Sequence, residues 1–225
     1  MHPLCFRGVH FLWGILVIMD YFHYTYKHNH IDFSSHIYKV STYHYNWHGE
    51  TEILILLKGR IEMSCNSEVF TMEPLDTIII SPQVGHATLA LEQDTTALVI
   101  HVGKDFFQQF DPNFSMYQFM IRSDETNRYN PFFTSVRHHA AMMMLLMVDG
   151  KSPANQLWLE HHYLDLASVV YSEIETVKSI PSNTKPADMT EATFDKMIAY
   201  IDKNYQRKIE LEDIAKIGGY NVNYT

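Results

Sequence analysis

Between Ile31 and Val102 the chain breaks into short runs rich in Ile, Leu, Val, Thr and Tyr, and this cadence constrains the fold more than any other feature. The runs are Ile37 to Tyr45, Glu52 to Leu57, Ile61 to Cys65, Val69 to Met72, Thr77 to Ile80, Ala87 to Leu91 and Ala97 to Val102. Lys58-Gly59, Asn66-Ser67, Glu73-Pro74, Ser81-Pro82 and Gln93-Asp94 supply the turn chemistry between them. Strands this short and this closely spaced are expected to close into a small β-barrel. With 46% hydrophobic and 19% charged residues the chain can fill a core, which excludes a disordered protein.

After Gly103 the alternating runs stop. Helices are expected over Pro131 to Met147 and Pro153 to Lys178, where Met142 to Met144 and Met147 read as core or interface filler. In the second helix Leu157, Leu164 and Tyr171 recur every seven residues, with Ala167 and Ile174 three beyond the latter two. Such a seam either meets a partner helix or covers the barrel, and Glu160 interrupts it. The stretch SIPSNTKPAD, from Ser179 to Asp188, is a linker by composition. Beyond it, Thr190 to Gln206 carries Phe194, Met197, Ile198, Ile201 and Tyr205 at amphipathic spacing, and Leu211 to Ile217 is a second short helix before Gly218-Gly219. The expected organisation is a leader or arm over 1–20, a barrel over 21–115, helices over 116–178, a linker over 179–189 and a further helical unit over 190–225.

Twenty-six acids against 17 bases give a net charge of -9, which works against a broad grip on nucleic acid. Cys5 and Cys65 are too few for a disulfide framework and form no CxxC pair, so reducing cytoplasm is the expected location. Phe11 to Met19 is an apolar run too short to span a membrane, and it enters Asp20-Tyr21-Phe22-His23 without a small-residue cleavage site. It reads as a strand or a leader, and translation from Met19 is a further hypothesis; no membrane partner is expected.

Tyr43 to Gly59 reads YHYNWHGETEILILLKG and Asp76 to His86 reads DTIIISPQVGH. These resemble the two signature motifs of the cupin superfamily. His48, Glu52, Gly59, Pro82 and His86 match by type and spacing, whereas Asn46 stands where the first His belongs and Asp76 where the first Gly belongs. Imidazoles and a carboxylate on adjacent strands can close on a metal, and His48, Glu52 and His86 could supply that set. They can equally hydrogen-bond one another or a ligand without metal; Asn46, a weak ligand for softer ions, favours that reading, so no metal or cofactor is expected. Strand alternation puts His44, Asn46 and His48 on one face, and Leu54 and Leu56 beside Glu52. Ile53, Ile55 and Leu57 then face the other way and need a cover, either the long helices or a second barrel.

Phe194 to Thr225 resembles the opening of the DNA-binding domain of the AraC family of bacterial transcription regulators. Tyr200, Ile201, Asn204, Tyr205, Ile209, Leu211, Asp213, Ile214, Ala215, Gly219, Tyr220 and Asn221 fit that pattern, while Glu210 departs from its usual Ser or Thr cap. A cupin barrel, helical dimerisation segment and such a tail are the family's usual order. The resemblance implies an α+β chain: a cupin-like double-stranded β-barrel followed by helices and a partial helix-turn-helix.

It also implies a cytoplasmic, ligand-responsive regulator rather than an enzyme. A small polar metabolite, such as a sugar, would bind at His44, Asn46, His48, Glu52 and His86; Leu157, Leu164 and Tyr171 would form a homodimer; Asn221 and Asn223 would begin the DNA-reading helix. The family's second helix-turn-helix would follow, so operator DNA is expected to be bound by a longer parent only. From Thr190 onward five basic residues face six acidic ones, leaving no phosphate-binding surface. Phe194, Ile198, Ile201 and Ile214 are then expected to be partly exposed in a loosely held tail. The competing class is a metal-dependent cupin enzyme, an isomerase or dioxygenase. His138-His139 and His161-His162 are expected at a surface or interface, because helical neighbours point apart and cannot chelate jointly.

Overall fold

The computed structural model of the chain describes residues 21–40, 44–66, 68–150, 152–179 and 191–218. Among the described residues ten strands form: β1 Tyr21–His28, β2 Ile31–Lys39, β3 His44–Asn46, β4 Thr51–Lys58, β5 Ile61–Cys65, β6 Glu68–Met72, β7 Thr77–Ile80, β8 His86–Ala90, β9 Thr96–Val102 and β10 Met120–Arg122. Helices α1 Lys104–Gln108, α2 Pro131–Asp149 and α3 Pro153–Val177 follow in the same compact unit, Met1–Ile180. Helices α4 Glu191–Asn204 and α5 Leu211–Gly218 belong to a second unit, Pro181–Thr225. Among the described residues no helix is long and apolar enough to cross a membrane.

Strand pairing defines the architecture. Antiparallel pairs β5·β6, β4·β7, β3·β8 and β2·β9 nest one inside the next, as in a long hairpin rolled on itself. Pairs β4·β9 and β5·β8 close the roll into sheets ordered β1-β2-β9-β4-β7-β10 and β3-β8-β5-β6. This is the double-sheet jelly roll to which cupins belong, and helices follow it. The expected α+β, cupin-like barrel is what the chain forms.

The larger sheet is buried on both faces. Leu54, Leu56, Ile78, Ile80, Ala97 and Val99 point between the sheets and meet Ile61, Met63, Cys65 and Met72. Ile53, Ile55, Ile79, Leu98 and Ile100 point the other way, against Val136, Ala140 and Met143 of α2 and Leu166, Val170 and Ile174 of α3. The doubly apolar β4 is therefore covered by this chain's own helices, and the methionines of α2 fill that layer. Both helices start on a capped proline turn: Asn130 accepts from the Phe133 N–H at 2.9 Å and Ser152 from the Asn155 N–H at 3.0 Å. Between β4 and β5, Gly59 turns at φ +78°, and a Cβ there would lie 2.9 Å from the Thr95 Cα, so only glycine fits.

The α3 seam divides. Leu157 and Leu164 are 71% and 46% exposed, whereas Ala167 and Ile174 are buried in the barrel-facing core. Tyr171 is half-buried, stacks on Phe107 at 5.6 Å and donates its hydroxyl to Asp111 at 2.8 Å. Seven-residue spacing alone did not separate those two faces. In the second unit Ile201 and Ile214 are half-buried, while the side chains of Phe194 and Ile198, and all of Asn221 and Asn223, lie outside the described residues. The leader and most of the linker lie outside them as well.

Candidate ligand-binding site in the barrel

Register brings the polar cluster together. Glu52 of β4 lies directly opposite His101 of β9, and Asn46 of β3 opposite His86 of β8. Residues opposite in an antiparallel ladder share a face, so Glu52, His101, Asn46 and His86 all belong to the space between the sheets. His48 enters from the loop after β3, with its Nδ1 3.2 Å from the Glu50 carbonyl. The Nε2 atoms of His48, His101 and His86 lie 3.0, 3.0 and 3.3 Å from one oxygen, Glu52 Oε2. Glu52 and His86 are buried, while the His48 and His101 side chains retain 19% and 24% exposure, so the cluster opens to solvent past those two rings.

Burial pushes the Glu52 carboxyl up, yet hydrogen bonds from His101, His48 and His86 outweigh it and hold it well below the usual carboxylate range. For His86 burial acts against the charge, and Glu52 overcomes it, raising the imidazole above its ordinary value. The buried centre is thus an ionised carboxylate met by the Nε2 atoms of His48, His101 and His86. Beyond His101 the polar surface continues: His36 lies with its ring 5.5 Å from His101, and His23 stacks on His36 at 4.3 Å. Burial, then His101 and His23, push His36 down to about 4, so it is neutral at physiological pH. Cys65 sits opposite His86 on β5, and burial pushes its thiol up to about 11. A thiol held protonated is neither a nucleophile nor a ready metal ligand.

His48, Glu52 and His101 each offer a ligand atom within 4.8 Å of the others, with His86 beside them. Imidazole and carboxylate donors of this kind suit iron, zinc or manganese, and an ion there would polarise a bound oxygen ligand. Without an ion the same groups present imidazole N–H donors and a carboxylate acceptor to a polar molecule entering past His48 and His101. Of the sequence candidates, His48, Glu52 and His86 converge. Asn46 is half-buried beside His86, and His44 shares that face opposite the buried Thr88 but is itself exposed at the strand's outer end. His101 was missed. It alternates with Ala97 and Val99 in β9, and the only signal was a polar residue on an otherwise apolar strand face.

Asp76, the other departure from the motif, is structural. It is buried and accepts from Arg128 Nε at 2.8 Å, Arg128 Nη2 at 3.0 Å, Ser123 Oγ at 3.1 Å and the Glu73 N–H at 2.8 Å. This clamps the loop before α2 onto the start of β7.

Among the helical histidines, His138 and His161 are exposed at the surface, and His139 and His162 lie between the two helices. His139 of α2 meets His162 of α3 across the helix pair, with Nδ1 atoms 3.2 Å apart, and His162 is only 8% exposed. Sequence neighbours do point apart, but tertiary packing pairs one from each helix.

No family model matches the chain, and no curated protein matches it. Solved structures do. Apo ToxT of Vibrio cholerae, a single-residue variant, is 9% identical over 84% of this chain and 71% of that one, with a TM-score of 0.43. KdgF from a Halomonas species is 15% identical over 37% of this chain and 78% of that one, at 0.31. The cupin domain of an XRE-family transcriptional regulator from Enterobacter cloacae is 14% identical over 38% of this chain and 97% of that one, also at 0.31. The class that fold and site define, a cupin-like jelly roll with a polar cluster inside, rests on this chain's own strand order and contacts.

Proposed function

We propose that the chain is a ligand-responsive regulator of the AraC family, in which the jelly roll senses a small polar metabolite and the α4–α5 unit begins the DNA-binding domain. The observation that carries this reading is the sequence pattern from Phe194 to Thr225, supported by helices at Glu191–Asn204 and Leu211–Gly218, where that pattern has them. The effector enters past His48 and His101 and exchanges hydrogen bonds with the Glu52 cluster. A sugar-like molecule, rich in hydroxyls, can both donate to the carboxylate and accept from the imidazoles. Binding shifts the barrel and its covering helices between arrangements, which changes how two copies present their DNA-binding units.

Dimerisation is part of the proposal and falls on α3. Leu157, Trp158 and Leu164 are 71%, 57% and 46% exposed on its outer side, and beside Leu164 runs a cavity of about 450 Å³ lined by Phe106, Phe110, Ala167, Tyr171 and Glu175. Apolar side chains of this size on one face are a self-association surface.

The test fuses the whole chain ahead of a DNA-binding domain that recognises its operator only as a dimer. Reporter repression that responds to a metabolite and is lost in Glu52→Gln would support the reading. No repression, with stoichiometric iron, zinc or manganese lost in His48→Ala and His86→Ala, would instead favour the metal-dependent cupin enzyme. That second reading is kept alive by the mutual proximity of His48, Glu52 and His101.

A further inference from the structure

The helical layer holds a second constellation, apart from the barrel cluster. His162 and Asp165 stand three residues apart on α3, so they project from one face, and His139 of the antiparallel α2 reaches the same point. One ligand atom from each lies within 4.8 Å of the others. The His139 Nδ1 is 3.2 Å from the His162 Nδ1 and 3.9 Å from Asp165 Oδ2. Three further groups surround them: His161 Nε2 lies 3.4 Å from Asp165 Oδ2, the Trp158 ring stacks over His162 at 6.2 Å, and the His138 ring lies 5.1 Å from His139 and 6.1 Å from His162.

We propose that His139, His162 and Asp165 bind one divalent transition-metal ion of the zinc class, which staples α2 to α3. Zinc takes imidazole nitrogen at about 2.0 to 2.1 Å in a tetrahedral shell, which sets two such nitrogens about 3.3 to 3.4 Å apart. The 3.2 Å between the two Nδ1 atoms is close to that separation. A His and a carboxylate at i and i+3 on one helix, completed by a ligand from a facing helix, is also how helical bundles assemble metal sites. The two-imidazole majority excludes calcium and magnesium, which select oxygen. Asp165 is about half exposed, leaving a position for water, and His161 orients its carboxylate from outside.

The experiment titrates zinc alone into the chelator-stripped full chain against a chromophoric competitor, with cobalt as a spectroscopic substitute. His48→Ala weakens the barrel cluster, and placing His139→Gln or Asp165→Asn in that background assigns the remaining zinc to this site or to the barrel. One equivalent should persist in His48→Ala, weaken at least about tenfold in Asp165→Asn and vanish in His139→Gln, together with the visible absorption of tetrahedral cobalt. Circular dichroism checks that each variant is folded; Asp165 is exposed enough that its amide variant decides the matter if His139→Gln unfolds. Zinc binding unchanged in Asp165→Asn, or no zinc bound by His48→Ala at micromolar concentration, would overturn the proposal.

Discussion

Glu52 and His101 face each other across the β4·β9 ladder, and the His101 Nε2 sits 3.0 Å from the carboxylate that His48 and His86 also contact. The carboxylate is the hub, since each imidazole meets it and the rings otherwise face one another. Glu52→Ala should therefore cost about 3 kcal/mol, the scale for breaking a buried ion pair. His101→Ala, with a partly exposed ring and one contact to the hub, should cost about 1 kcal/mol. Urea unfolding measures both, and equal losses would refute the hub assignment.

Two opposed shifts in the barrel contribute to the pH dependence of stability. His86 is raised above 6.5, so its contribution is complete below that value and is lost as pH rises through its folded value. His36 is lowered from 6.5 to about 4, so below 6.5 the unfolded chain takes a proton the folded one refuses, and stability falls toward pH 4. The alkaline decline should be absent in His86→Gln and the acid decline reduced in His36→Gln. Chemical unfolding midpoints across this range read the two limbs separately. Glu52, held low, adds a loss only at the acid extreme, as pH falls through its folded value.

Arg128 should be as hard to replace as a core residue. Its fork grips a buried carboxylate, and removing it takes away the two charged hydrogen bonds that Asp76 receives, leaving Ser123 and the Glu73 N–H as its donors. Arg128→Ala should lose about 3 kcal/mol, and Arg128→Lys should recover only part, because an ammonium cannot make the paired contact. Calorimetric melting of the three proteins distinguishes these outcomes.

Self-association through α3 predicts that Leu164→Glu and Leu157→Glu give monomers in sedimentation at high micromolar concentration while keeping the wild-type melting profile. Both side chains are exposed in the single chain, so a charge there has no core to disrupt. Dimers surviving both substitutions would move the interface elsewhere.

Five of the seven strand runs read from the sequence fall wholly within strands, Ala87 to Leu91 runs one residue past β8, and α2 and α3 begin at the expected prolines, because apolar alternation and caps are local signals. The run from Ile37 to Tyr45 is interrupted, however, dividing between β2 and β3. β1 escaped notice: its inward residues are Phe22 and the half-polar Tyr24 and Tyr26, alternating with His23, Thr25 and Lys27. His48, Glu52 and His86 were legible from motif spacing. His101 was not, because only the register of β9 on β4 brings it to Glu52, and register is a property of the closed roll. The pairing of His139 with His162 was hidden for a related reason, since it depends on how α2 docks on α3.

The nesting of strand pairs also dictates when the site can exist during folding. Phe33 of β2 pairs with Val102 of β9, so the outermost rung joins distant parts of the chain, and such non-local closure makes folding slow. The β5·β6 hairpin can form early from neighbouring residues, yet it carries none of the cluster. Glu52 acquires His101 only when β9 threads between β2 and β4, one of the most non-local events in the roll. The Glu52 cluster should accordingly assemble in the last kinetic phase of refolding, so its formation reports that the roll has closed.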